Sequence, residues 1–263
     1  MNTAELPVAL TIAGSDSGAG AGIQADLLTF AAHGVFGTTA ITCLTAQNPD
    51  GVSAIETLPA SFVLEQILQV HRCFRLRALK TGMLHSAAIV TAVADFLRAE
   101  PGIPAVIDPV MVATSGAGLL EPEALAAVRG SLLPCAMLVT PNLDEVAVLF
   151  GERPTTVAGM IAAGRWLAQS HGVAFLIKGG HLSGDELTDV LVKPGGEARP
   201  YTSRRIHGVN THGSGCTLSA AIAANLARGS GLDDAVEAAR AYLLRGMEHS
   251  LQVGHRRFIN HSP

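Results

Sequence analysis

The feature that most constrains this chain is a recurring step: a short apolar run closes on glycine or polar residues, and a helix-patterned segment follows. The apolar run Pro7–Ala13 closes at Gly14, the β-branched stretch Thr38–Thr45 at Ala46-Gln47, and the short strand pattern Arg77–Lys80 at Thr81-Gly82-Met83. Ala105–Ile107 ends in Asp108-Pro109, Met137–Val139 in Thr140-Pro141-Asn142, and Ala174–Ile177 in Lys178-Gly179-Gly180-His181. Runs this short, bounded by turn residues, read as buried strands. Helical patterns fill the gaps at Ile23–His33, Ser61–Cys73, Ala87–Ala99 and Pro122–Arg129, from Asn142 through Phe150, and at Val157–Ser170. Gly51–Leu58 alternates and is expected as an edge strand or small flap. Leu187–Val192 and Tyr201–Val209 are expected as consecutive strands, followed by a helix over Ala220–Arg228 and a closing helix over Ala235–His249. Strands alternating with helices build βαβ units, so the expected class is α/β, with a mostly parallel sheet covered on both faces.

Composition narrows the classes. The 263 residues are 48% hydrophobic and 15% charged, which supports one large, well-buried α/β domain over 1–263. The formal charge is −4 with no Lys/Arg block, a poor match to nucleic acid. No apolar run reaches transmembrane length. The first residues, Met1-Asn2-Thr3-Ala4-Glu5, lack the positive segment of a secretory signal. Cys43, Cys73, Cys135 and Cys216 are scattered, without a C-x-x-C pair, so neither a zinc site nor a disulfide framework is expected; a reducing, cytoplasmic location is.

In open α/β sheets the carboxyl ends of the strands carry the ligand site, and there the polar residues gather. Gly14–Gly22 follows a strand and precedes a helix, but Gly18, Gly20 and Gly22 give G-x-G-x-G rather than the dinucleotide fingerprint, and the second strand lacks the ribose-binding acid. The P-loop and G-x-S-x-G patterns are absent. What remains suits phosphoryl transfer, which needs cations on phosphates, a dry site and a positioned hydroxyl. Gly213-Ser214-Gly215-Cys216 opens an alanine-rich helix, where unpaired amides and the positive dipole end can cradle an anion. Cys216 is either a small packed residue or, with a thiol pKa lowered by the helix terminus, a base or nucleophile. Lys178 is either a solvated strand-end lysine or a phosphate contact. Asp108 and Glu145 could hold Mg²⁺ through water, or serve as a turn residue and a first-turn helix acid. Asn142 could be only an N-cap. Asp26 reads as an exposed helix acid or a site residue. Gln47 reads as a turn residue or the partner of a planar heterocycle edge.

Eight motifs occur in order: Ala13-Gly14-Ser15-Asp16-Ser17-Gly18, Gly22-Ile23-Gln24-Ala25-Asp26, Thr45-Ala46-Gln47-Asn48, Lys80-Thr81-Gly82-Met83, Asp108-Pro109-Val110-Met111-Val112, Thr140-Pro141-Asn142, Lys178-Gly179-Gly180-His181 and Asn210-Thr211-His212-Gly213-Ser214-Gly215-Cys216-Thr217-Leu218. Together they closely resemble the hydroxymethylpyrimidine/phosphomethylpyrimidine kinases of thiamine biosynthesis, in the ribokinase-like superfamily, from about Val8 to Met247. The resemblance implies a three-layer α/β/α sandwich with a mostly parallel central sheet, usually a homodimer. It implies that ATP with Mg²⁺ phosphorylates 4-amino-5-hydroxymethyl-2-methylpyrimidine and then its monophosphate. By position, Gly14, Asp26, Gln47, Met83 and Val110 fall at the pyrimidine site and Cys216 at the catalytic position, held by aspartate in many relatives. Gly213, Ser214 and Gly215 fall at the anion hole. Lys178, Asn142, Glu145 and Asp108 fall at the nucleotide-phosphate and magnesium region, which Ser214 adjoins.

The chain departs from the pattern at Ala19 for a glycine, at Pro49-Asp50 for a threonine, at Thr114 for a lysine, and at Ser214 for a threonine. The last keeps its hydroxyl. No fused thiamine-phosphate synthase or thiaminase-like module is expected. Two other readings stay open: a pyridoxal kinase, and a non-catalytic pyrimidine-binding regulator. The second has no use for Lys178 beside Gly213-Ser214-Gly215-Cys216.

Overall fold

In chain order the elements are β1 (Val8–Asp16), α1 (Gly22–Ala32), β2 (Phe36–Asn48), β3 (Gly51–Thr57), α2 (Ala60–Cys73), β4 (Leu76–Thr81), α3 (Ala87–Ala99), β5 (Ala105–Ile107) and α4 (Ala124–Ala127). They continue with β6 (Leu138–Val139), α5 (Leu143–Phe150), α6 (Val157–His171), β7 (Ala174–Ile177), β8 (Glu186–Val192), β9 (Ala198–Arg204), α7 (Ser214–Ala227), α8 (Leu232–Glu248), β10 (Leu251–Val253) and β11 (Arg256–Phe258). This is a computed structural model that describes residues 5–111, 119–180, 182 and 184–263. Val112, Thr114 and His181, singled out in the sequence, lie outside the described residues.

The main sheet has the order β3-β2-β1-β4-β5-β6-β7-β8-β9. β2, β1, β4, β5, β6 and β7 run parallel, whereas β3, β8 and β9 pair antiparallel. Alternate residues of each strand feed two separate cores. Leu10, Leu79, Ile107, Val139 and Phe175 pack with α2, α3, α5 and α6 on one face. Ala9, Ala78, Val106, Leu138 and Leu176 pack with Phe30 of α1 and with α7 and α8 on the other. That makes three layers. Each fully buried Leu, Ile or Phe contributes about 1.5–3 kcal/mol, so both faces hold the strand ends in place.

Helix starts follow local chemistry. Ser86 accepts from the Ile89 amide, Thr156 from Gly159, and Asn142 forms a capping box with Glu145. α7 differs: every residue from Thr217 to Ala227 is buried. Its small side chains let it lie between the sheet, α1 and α8.

Several expectations need correction. β1 does not stop at Gly14; it continues to Asp16 through a register shift between Ala13 and Ser15. A Cβ on Gly14 would lie 2.8 Å from Cys43 Sγ, so only glycine passes there. β2 runs on to Asn48, which places Gln47 inside the strand, next to a bulge between Ala46 and Gln47. Bulges re-aim side chains. Pro122–Arg129 keeps only the short α4; a π turn (Val128–Leu132) and a 3₁₀ turn (Leu133–Cys135) follow it. β9 ends at Arg204 rather than Val209, because the Arg205 guanidinium turns to donate to the carbonyls of Gly180, Leu182 and Gly184. The β10–β11 hairpin lies beyond the elements expected from the sequence, since strands of three residues are too short for a periodic signal.

Candidate active site

The carboxyl ends of β4, β5, β6 and β7 bring four motifs to one edge. Lys178 Nζ donates to Asp108 Oδ1 at 2.9 Å, and Thr140 Oγ1 donates to the same oxygen at 3.2 Å. The Lys178 amide donates to Pro141 O, and Lys178 bridges in parallel to Asn142, extending the β6–β7 pairing by one step. Asp108 is 2% exposed and the Lys178 side chain 15%, so Lys178 is not a solvated strand-end lysine. Burial alone would lower its pKa, but the Asp108 and Glu145 carboxylates outweigh burial and hold the ammonium protonated. Glu145 sits beside it with its Oε2 accepting from the Asn142 amide at 2.7 Å. Burial pushes the Glu145 carboxyl up to about 7, against the pull of Lys178 and with Asp108 adding to the rise.

The start of α7 closes the same space. Gly213 is its N-cap at φ +81°, and a Cβ there would lie 1.8 Å from Gly20 O. A Cβ on Gly215 would lie 3.2 Å from Lys178 Nζ and 3.6 Å from Asp108 Oδ2. The Ser214 amide donates to Thr211 O, while the Gly215 and Cys216 amides have no backbone partner among the described residues. Ser219 Oγ reaches Gly215 O and Cys216 O and, at 3.4 Å, Asp108 Oδ2, bracing the first turn. The positive end of α7, with two amides that lack a backbone partner, therefore lies against the Lys178 ammonium. Of the two readings of Cys216, the thiol departs from the one with a lowered pKa. Burial pushes it up to about 11; the Lys80 ammonium pulls the other way, and the Asp26 and Asp108 carboxylates add to the rise. Desolvation here outweighs the helix terminus.

On the far side, Gly14 packs against Cys43 and Met83. Met83 joins Cys43, Leu119, Val52, Ile55 and Val110 in an apolar cluster of its own. Gln47 is half-buried, and its Nε2 donates to Thr45 Oγ1 at 2.6 Å, which donates on to Ser15 O. Asp26 belongs under this floor rather than on it. It is fully buried, with Lys80 Nζ at 2.9 Å and Thr11 Oγ1 at 2.6 Å from Oδ2. It is neither an exposed helix acid nor a wall of the cleft, because both its oxygens are committed beneath the surface. A small pocket between β4 and β5 is lined by Thr81, Gly82, Asp108, Val110 and Met111; the buried Thr81 hydroxyl has no partner among the described residues.

Lys80, Asp16 and His212 appear in the sequence motifs without an assigned role, and Asp189 appears in none of them. A lysine inside an apolar strand and an acid inside an apolar helix are charges that require partners, and that signal pairs Lys80 with Asp26. Asp16 accepts the Gly18, Gly20 and Ala21 amides and His212 Nε2. Asp189 accepts the Gly179 amide and Arg240 Nε, fixing the turn after Lys178.

Among the described residues no group of three or more His, Cys, Asp or Glu side chains could hold a metal. Magnesium bound with a nucleotide needs only one or two carboxylates, its other ligands being water and phosphate. Asp108 and Glu145, flanking one ammonium, fit that smaller demand. No helix among the described residues is long and apolar enough to cross a membrane.

A family model described as phosphomethylpyrimidine kinase matches residues 16–261. A hydroxymethylpyrimidine/phosphomethylpyrimidine kinase from Rhizobium meliloti (strain 1021) is 49% identical over 240 residues, covering 90% of this chain and 88% of its own. The pyridoxal kinase of Bacillus subtilis, solved as an ADP complex, superposes with a TM-score of 0.90 at 35% identity, covering 98% of both chains. The phosphomethylpyrimidine kinase from Clostridium difficile 630 gives 0.80 at 38%, covering 92% of this chain and 99% of its own.

Proposed function

Because the chain belongs to the phosphomethylpyrimidine kinase family, with the ribokinase-like three-layer fold, we propose that it transfers the γ-phosphoryl group of ATP to the hydroxyl of 4-amino-5-hydroxymethyl-2-methylpyrimidine. A second turnover phosphorylates the monophosphate to the diphosphate, in thiamine biosynthesis. The observation that carries this reading is the convergence of Lys178 with the unpaired Gly215 and Cys216 amides at one sheet edge.

The roles follow from charge and reach. The Gly213, Gly215 and Cys216 amides stabilise charge developing on the transferred phosphoryl group, with Ser214 beside them. The Lys178 ammonium, kept protonated by its carboxylates, offsets phosphate charge, and Asn142 lies at the nucleotide side of the same edge. A magnesium ion bound with ATP, held through water by Asp108 and Glu145, would neutralise phosphate oxygens. Gly14, Met83 and Val110 give the ring an apolar bed, and Gln47 pairs with its edge. Cys216 accepts the proton of the attacking hydroxyl. With a thiol near 11 its thiolate is a strong base but a scarce one at neutral pH. Residues 1–263 act as one kinase domain. Exposed Leu44 on β2, next to the open β3 edge, supports pairing of two copies into a homodimer. Four free cysteines suit a reducing cytoplasm.

One observation favours a second reading: the likeness to a pyridoxal kinase at a TM-score of 0.90. The test is ADP release and product mass with ATP–Mg²⁺ and, in turn, the hydroxymethylpyrimidine, its monophosphate and pyridoxal. The expected products are the pyrimidine monophosphate and diphosphate. A higher kcat/KM on pyridoxal overturns the substrate assignment, and no ADP release with any ring overturns catalysis.

A further inference from the structure

Two glycine-rich loops that lie far apart in sequence meet at the anion hole. The first, Asp16 to Gly22, leads from β1 into α1; the second, Asn210 to Gly213, leads into α7. Their backbones touch, since a Cβ on Gly213 would lie 1.8 Å from Gly20 O and one on Gly20 would lie 2.7 Å from His212 Cδ2. Across this contact His212 Nε2 hydrogen-bonds Asp16 Oδ2 at 2.9 Å. Asp16 is 1% exposed and gathers the first loop around itself, accepting Gly18 N at 2.7 Å on Oδ1, and Ala21 N at 2.8 Å and Gly20 N at 3.1 Å on Oδ2. The His212 amide donates to Asn210 Oδ1, and the Asn210 amide to Arg257 O, so the second loop is also tied from behind.

We propose that His212, acting through Asp16, is a positioning residue for phosphoryl transfer: its Nε2–H bond latches the anion-hole loop to the first loop and so sets where the Gly213, Gly215 and Cys216 amides point. This rests on the kinase reading above. Gly213 is the residue after His212 and the N-cap of α7, so a tilt of the imidazole moves the donors directly. Amide donors act on a developing oxyanion only within about 2.7–3.1 Å, and a misplacement of about 1 Å costs on the order of 10²-fold. An acceptor buried in four hydrogen bonds fixes position far better than a solvated one, because water does not replace a donor that moves away.

The experiment compares His212→Leu, His212→Ala and His212→Gln with wild type. Glutamine keeps an amide N–H donor on a side chain of similar reach. Expected is a kcat loss of about 10–100-fold in His212→Leu and His212→Ala, KM values for ATP and pyrimidine within about threefold, and recovery of most of kcat in His212→Gln. The melting temperature of each variant separates this from unfolding. Should the leucine and alanine variants fail to fold, His212→Asn, whose amide donor is one methylene shorter, replaces them; it is expected to lose more kcat than His212→Gln, and wild-type kcat in it overturns the proposal. The Gly215 and Cys216 amide resonances give a readout that needs no turnover: they shift in His212→Leu and return in His212→Gln. Near-wild-type kcat in His212→Ala, or no recovery of kcat and resonances in His212→Gln, overturns the proposal. A wild type without kinase activity whose resonances still shift and return overturns the functional reading and leaves the latch standing.

Discussion

Lys80 and Asp26, 54 positions apart, form an ion pair in which neither side chain has any solvent exposure: Nζ lies 2.9 Å from Oδ2 and 3.0 Å from Oδ1. Burial alone would lower the Lys80 pKa, but the carboxylate outweighs it and keeps the ammonium charged. Breaking such a pair from one side strands a buried charge and costs about 3–5 kcal/mol, whereas replacing both partners with apolar groups is often neutral. Asp26→Leu or Lys80→Met is therefore expected to lower the urea midpoint sharply, and the double variant to recover most of the loss. Single variants as stable as wild type would contradict the buried pair.

Cys216 carries a pH signature. With its thiol pushed up to about 11, the thiolate fraction grows about tenfold per pH unit below that value. If the thiolate takes the substrate proton, kcat of the wild type rises between about pH 7 and 9.5. Cys216→Asp, ionised throughout that range, flattens the profile, and Cys216→Ala lowers kcat about 10²-fold. A flat wild-type profile, or an alanine variant with near-normal kcat, removes the base role.

Lys178→Ala is expected to reduce kcat/KM for ATP by about 10²–10³-fold, the scale of losing one charge-stabilising donor. Pyrimidine affinity, measured by calorimetry without nucleotide, changes little. Unchanged kcat/KM for ATP would confine Lys178 to its ion pair with Asp108.

Gln47 tests ring selection. Its amide can accept from an exocyclic amino group and donate to a ring nitrogen, and a buried polar group left unpaired rejects an analogue strongly. To do so the amide must release its Nε2 bond to Thr45 Oγ1. Gln47→Ala is expected to lower kcat/KM for the aminopyrimidine by about 10-fold or more while leaving pyridoxal turnover nearly constant. Equal losses on both rings would mean that Gln47 shapes the end of β2 rather than reads the ring.

Glu145 links stability to pH. Its carboxyl moves from an ordinary 4.5 up to about 7 in the fold. Between those values the folded state holds the proton and the unfolded chain does not, so this contribution is complete below 4.5 and lost as pH rises through 7. Urea unfolding in EDTA without nucleotide is expected to show wild type losing ground to Glu145→Gln across that window, and no further change above it. A constant difference would mean that Glu145 is ionised throughout.

Periodicity and turn chemistry gave the strands, most helices and the common edge, because two packed faces impose a repeating step on the sequence. They missed what depends on distant partners. Asp26 and Lys80 each stand as a charge in an apolar frame that calls for a partner, but 54 positions separate them and only the fold places them 2.9 Å apart. The Cys216 shift went the other way from the helix-terminus rule because burial of the thiol is a tertiary effect. β1 and β2 overrun their sequence limits for a related reason: the register shifts at Gly14 and Gln47 come from neighbouring strands, not from local preference. The hairpin Leu251–Val253 and Arg256–Phe258 has strands of three residues each and no buried face, too short for a periodic signal.

The continuous burial of α7 from Thr217 to Ala227 has a consequence for exchange with solvent deuterium. A helix covered on every side has no shallow opening route, so its interior amides exchange only when the whole fold opens. The Gly215 and Cys216 amides, just before that run in the first turn of α7 and without a backbone partner among the described residues, exchange from the native state. The isotope pattern along this one helix thus steps from the slowest protons in the molecule to some of its fastest within a few residues. Bound phosphate would erase that step by slowing only the fast ones.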